Sequence, residues 1–123
     1  MKVAILADIH ANIYALEAVL ADCEKEAVEH FIVAGDLVGY YYWPQPVVQR
    51  LMHDTRVTCI RGNHEDILIE AIGSSNAADR YRQKYGSGYD VRRESLCDDE
   101  FQWLLHLPAK AELMLGGAHF SVH

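Results

Sequence analysis

The sequence predicts an α/β fold, and three observations carry that reading. Short apolar runs stop three times at a polar cluster: Lys2–Ala7 before Asp8-Ile9-His10, Phe31–Ala34 before Gly35-Asp36, and Arg56–Ile60 before Arg61-Gly62-Asn63-His64-Glu65. Asp8 and Asp36 lie 28 residues apart, and Asp36 and Asn63 27. Each interval is about one strand–helix–strand unit, roughly 30 residues long. Between the runs, apolar residues recur at helical spacing. Strands alternating with helices and ending in a hairpin give a layered α/β fold, mixed at one edge.

Lys2–Ala7 is nearly unbroken apolar sequence, as expected of a strand covered on both faces. Asn12 can cap the helix that follows, whose buried stripe would be Ile13, Leu16, Val19, Leu20, Cys23 and Ala27. Phe31–Ala34 is too short for a helix and is closed by Gly35. An aromatic loop follows Asp36, and Pro46 can open a helix to about His53 with Val47, Val48, Leu51 and Met52 inward. After the third strand, Glu65–Ile72 reads as a short helix stopped at Gly73. Ser74–Asp90 is polar, rich in tyrosine and broken by glycine, and reads as a partly helical flap. Asp98 or Asp99 caps a helix through Leu107, with Phe101, Leu104 and Leu105 inward. Ala111–Leu115 and Ala118–Val122 form a hairpin about Gly116-Gly117.

Half of the 123 residues are apolar, enough for a single domain spanning residues 1–123, which would bury about two-thirds of its unfolded surface. A formal charge of −7 argues against a nucleic-acid partner and against an anionic membrane, while a small phosphorylated substrate stays compatible if a metal reverses the local sign. Cys23, Cys59 and Cys97 show no CxxC spacing and sit in apolar contexts, which predicts buried reduced thiols. No run approaches the ~18 apolar residues of a membrane span. With no signal-peptide core before Asp8, the expected compartment is the cytoplasm.

In an open α/β sheet the chemistry sits at the carboxyl ends of the strands, so Asp8, His10, Asp36, Asn63 and His64 are expected on one rim. Carboxylate, imidazole and carboxamide donors suit a divalent ion such as manganese, iron or zinc. Asp36, central in the series, can lend one oxygen to each of two ions, and two ions about 3.5–4 Å apart can hold a hydroxide for in-line attack at phosphorus. His64 would face the substrate and protonate the leaving oxygen, with Glu65 or Asp66 orienting its ring. Arg61 is a candidate phosphate contact, against the plainer reading of a strand-end arginine paired with a surface acid. Taken singly, D-x-H, Gly-Asp and Gly-Asn are strand-to-turn signals. Their joint placement after three evenly spaced strands is what points to a site. An aspartate-nucleophile phosphatase would need D-x-D after the first strand, which Asp8-Ile9-His10 lacks.

With Asp8-Ile9-His10, Gly35-Asp36, Gly62-Asn63-His64-Glu65 and His123 in this order, the chain resembles the calcineurin-like metallophosphoesterase superfamily. The segments LADIHANIYALEAVL and GDLVGY are similar to its bacterial branch of small phosphoesterases related to diadenosine tetraphosphatases. The resemblance implies an α-β-β-α sandwich, of which this chain would hold the N-terminal βαβαβ half plus a hairpin. It implies two divalent ions, manganese first, with iron, zinc or nickel as alternatives. Asp8 and His10 would hold one ion, Asp36 would bridge, and Asn63 and His123 would hold the other, with His64 as the catalytic histidine. The implied activity is hydrolysis of a phosphomonoester, a phosphodiester or a dinucleoside polyphosphate.

The chain ends before the family's G-H-x-H motif. A C-terminally truncated domain, or one completed by a second chain or a homo-oligomer, is therefore expected. The same departure supports the alternative of an inactive metal-binding scaffold for protein–protein contact. Gly35-Asp36-Leu37-Val38-Gly39 lacks the arginine that follows Gly-Asp in phosphoprotein phosphatases, which disfavours protein substrates. The run Tyr40-Tyr41-Tyr42-Trp43 would pack against a missing half of the domain or stack on a nucleobase.

Overall fold

The computed structural model describes residues 1–39, 43–73 and 96–123, with nothing assigned to the side chains of 71–73. Its elements are β1 (Val3–Leu6), α1 (Ile13–Lys25), β2 (His30–Val33), α2 (Pro44–Met52), β3 (Val57–Cys59), α3 (Asn63–Gly73), α4 (Asp98–Leu105), β4 (Ala111–Leu115) and β5 (Ala118–Val122). The first three strands form a parallel sheet in the order β1-β2-β3, with Ile5 opposite Ile32 and Val33 opposite Cys59. The last two form a separate antiparallel hairpin with Leu113 opposite Phe120. The expected flap and Tyr40–Tyr42 lie outside the described residues.

The core gathers around β2, whose Phe31, Ile32 and Val33 are all buried. Leu16 and Leu20 of α1, Val47, Val48 and Leu51 of α2, and Leu68 of α3 pack into the same cluster, with Leu104 of α4. A central strand flanked on both sides has no solvent face, which is why its sequence is unbroken apolar. β1 departs from expectation. It is an edge strand, and Ile5 is 65% exposed, because among the described residues no element covers that face. A groove of about 440 Å³ runs along it, between Ile5–Ile9 and the α1 residues Ala15, Leu16 and Val19.

The helix ends show what set them. Asn12 caps α1, its side chain accepting from the Ala15 N–H at 3.1 Å. α2 begins at Pro44 rather than at Pro46. Both prolines fit within the first turn, where the backbone N–H groups have no intrahelical partner to lose. α3 begins two residues earlier than the apolar pattern suggested, at Asn63, so the polar motif itself forms the first turn. α4 is preceded by Cys97, not capped by Asp98 or Asp99; Glu100 reaches back to accept from the Cys97 N–H at 2.8 Å.

Of the three thiols, all free, Cys59 is buried, Cys23 is half-buried and Cys97 is exposed. The expectation of three buried cysteines is therefore met in full only at Cys59; Cys23 is half-buried, and Cys97 is exposed just before the start of α4. Burial raises the Cys59 thiol well above its usual range, with the nearby Glu65 carboxylate adding to the effect.

Glu100 is a buried carboxylate that the apolar pattern did not reveal. Its Oε2 accepts from the side-chain amides of Gln45, at 3.0 Å, and Gln49, which fastens α4 to α2. Burial opposes its charge, yet the hydrogen bonds from Cys97, Gln49 and Gln45 win and hold the carboxyl below its usual 4.5. The stability this adds is complete above the unfolded value and is lost as pH falls through the lower folded one. In Glu100→Gln the acid limb of a pH–stability curve should flatten below about pH 4.5, with a loss of about 1–3 kcal/mol at neutral pH as the two glutamine amides lose an acceptor. Denaturant titrations at a series of pH values check both.

Candidate metal site

Two loops leaving adjacent strands adopt backbone conformations that side chains rarely take. Asp8, His10 and Ala11 after β1, and Asp36 after β2, have φ between 49° and 60°. Such left-handed non-glycine residues are uncommon, and their clustering is typical of functional loops. They are held by hydrogen bonds between the loops: His10 N–H to the Asp36 carbonyl at 2.9 Å, Ala11 N–H to that of Leu37 at 2.7 Å, and Trp43 N–H to that of Ala11 at 3.1 Å.

The third loop is pressed against the second at their glycines. A Cβ on Gly35 would come within 2.6 Å of the Gly62 nitrogen, and one on Gly62 would strike the Asp36 carboxylate. Gly62 directly precedes α3 and has no side chain to cap it. The Asp36 carboxylate does so instead, its Oδ1 accepting from the His64 N–H at 3.0 Å. The positive end of the α3 dipole thus faces that carboxylate.

These loops bring ligand atoms of Asp8, His10 and Asp36 within 4.8 Å of one another. His10 Nε2 lies 3.6 Å from Asp8 Oδ1. Its Nδ1 lies 3.0 Å from the Val38 carbonyl, which can only accept, so Nδ1–H donates there and Nε2 is the ring nitrogen turned toward Asp8. The Asn63 amide lies against both Asp36 oxygens, at 2.9 and 3.0 Å, and donates to them when its nitrogen faces that way. Turned over, it would add a third oxygen to the same spot, which only a cation makes favourable. Two carboxylates, an imidazole and an adjacent carboxamide make a donor set that fits a divalent cation.

His64 is buried beside this cluster, its ring edge-on to His10 with centroids 4.7 Å apart. Gly39, at φ 101°, leaves the space that the ring occupies: a Cβ there would overlap Nδ1.

Glu65 and Asp66 are not where the sequence reading put them. Glu65 is turned to the backbone, accepting from the N–H groups of Asp36 at 2.7 Å, Gly62 at 3.0 Å and Val38 at 3.2 Å. Burial pushes its carboxyl above the usual value, against the hydrogen bonds from Gly62 and Val38. Asp66 is exposed and pairs with Arg61 Nε at 2.8 Å, so Arg61 follows the plainer of its two readings. His123 is outside the cluster; its Nε2 meets Ser121 Oγ at 3.0 Å on the exposed hairpin. A signal for Glu65 was present in the sequence. A glutamate at the third helical position reaches back to the residue before the helix, but the boundary was placed too late to show it.

The sequence profile of the calcineurin-like phosphoesterases matches residues 1–118. This chain belongs to that family. The calcineurin-like chain is 36% identical over 85 residues to the uncharacterised protein MJ0912 of Methanocaldococcus jannaschii, a match covering 69% of this chain and 32% of that protein. Its structure is similar to that of a metallophosphoesterase from Sphaerobacter thermophilus, with TM-score 0.73 and 27% identity, over 93% of this chain and 44% of the other. The hypothetical protein PH1004 of Pyrococcus horikoshii shares the fold, with TM-score 0.74 and 24% identity, over 97% of this chain and 52% of that one. The chain thus spans about half the length of these solved structures and a third of the curated relative. No helix among its described residues is long and apolar enough to cross a membrane.

Replacing Gly39 by alanine should displace the His64 ring and cost about 1–3 kcal/mol from the left-handed backbone alone. An unshifted His64 imidazole resonance in the variant would show that the ring is not held against Gly39.

Proposed function

We propose that this chain carries the metal-binding half of a phosphoesterase that hydrolyses a phosphomonoester, a phosphodiester or a dinucleoside polyphosphate. The observation that carries the reading is the convergence of Asp8, His10 and Asp36, with Asn63 against Asp36 and His64 beside His10. Asp8 and His10 would hold one divalent ion, manganese in the first instance. Asp36 would lie between two ions, and Asn63 and His123 would serve the second. Bound ions would neutralise phosphoryl charge and lower the pKa of water to give a nucleophile at neutral pH. His64 would donate a proton to the leaving oxygen, its backbone fixed by the bond to Asp36. The N-terminus of α3 faces the Asp36 carboxylate, which accepts from the His64 N–H. Arg61 meets Asp66 through Nε, so a terminal nitrogen of its guanidinium could still meet a substrate phosphate. The fitting substrate is a small phosphorylated molecule that brings its own negative charge to a cation.

A second reading, metal binding without turnover, is favoured by the position of His123 outside the cluster. Manganese titration and turnover of a chromogenic phosphodiester separate the two. For the enzyme, His64→Ala should lose at least about 100-fold in kcat with its metal content unchanged. A wild-type chain that binds manganese without turnover supports the scaffold, and one that binds none sinks both readings.

Protons compete with metal for imidazole and carboxylate, so metal content should fall between about pH 8 and about pH 5. Equal metal content at the two ends, measured by atomic emission after gel filtration, would contradict His10 as a ligand.

A further inference from the structure

Glu65 is 1% exposed, and one carboxylate serves two loops. The bond to the Gly62 N–H closes the start of α3, as a glutamate at this helical position does in many proteins. The bonds to the Asp36 and Val38 N–H groups have no part in that cap. They reach across to the loop after β2 and grip it at the ligand Asp36 and at Val38. Val38 is also the residue whose carbonyl accepts a hydrogen bond from His10 Nδ1. One buried side chain therefore stands behind two of the three converging ligands, without facing the cation position itself.

We propose that Glu65 is a positioning residue for the metal site: it sets the Asp36 loop and, through Val38, the orientation of His10. The proposal rests on the reading that Asp8, His10 and Asp36 hold a cation. Three N–H donors converge on two acceptor oxygens, an arrangement that a carboxylate satisfies and an amide of the same shape cannot. In Glu65→Gln one donor would face an NH2 group. Partners behind metal ligands characteristically change metal affinity by about 10–100-fold when removed.

The test compares the full chain with Glu65→Gln and Glu100→Gln. Glu100 is an equally buried carboxylate that hydrogen-bonds between α2 and α4, so its variant reports a loss of stability alone. Amide hydrogen exchange is read on the metal-free proteins, and manganese affinity by calorimetry. Glu65→Gln is expected to lose protection at the Asp36, Val38 and Gly62 amides and to bind manganese at least about 10-fold more weakly, while Glu100→Gln binds it as the wild type does. Unchanged protection at those amides overturns the proposal. So does affinity within about twofold of the wild type, or an equal loss in Glu100→Gln. If the wild type takes up no manganese, the metal reading fails separately, and exchange at the three amides alone decides whether Glu65 holds the loops.

Discussion

The arrangement depends on a carboxylate belonging to one loop serving as the cap of a helix that begins 27 residues later. Asp36 fills the place that a side chain on Gly62 would otherwise take, and accepts from the His64 N–H. This one bond ties the exit of β2 to the start of α3. It also places a negative charge at the positive end of a helix, where it is stabilised. Gly62 is required twice over: its missing side chain leaves the helix uncapped, and the same omission admits the carboxylate. Gly35 is needed on the other side, where the two backbones touch.

Around that contact the chain holds four non-glycine residues in left-handed conformations, each costing of the order of 1–3 kcal/mol at worst. What offsets the strain is a set of hydrogen bonds that all run between loops: His10 to Asp36, Ala11 to Leu37, and Glu65 to both sides. No single loop would keep this shape alone. The central strand β2, buried on both faces, supplies the rigid base from which Asp36 emerges.

The sequence made the sheet and the convergence of Asp8, His10 and Asp36 legible, and it did so through local signals. Apolar runs ending in Asp8-Ile9-His10, Gly35-Asp36 and Gly62-Asn63 located three strand ends, and parallel order then forced their loops together. The hairpin was readable to the residue from alternation and the Gly116-Gly117 turn. What stayed hidden are contacts between distant segments. The role of Glu65 depends on backbone N–H groups 27 and 29 residues away, and no pattern within a helix encodes them. The burial of Glu100 has no local signal either, because its glutamine partners lie on another helix. Ile5 looked buried because composition cannot distinguish a central strand from an edge one.

The flank of β1, uncovered among the described residues, has a consequence for handling the molecule. Lys2 and Leu6 turn their carbonyls toward β2, so the peptide groups of the alternate residues Val3 and Ile5 point away from the sheet. A seam of that kind, with an apolar groove beside it, is a template on which any extended polypeptide can add itself. Concentrated solutions of this chain should consequently be sticky along one side, and a short edge-matching peptide would be the natural reagent for keeping the molecules apart.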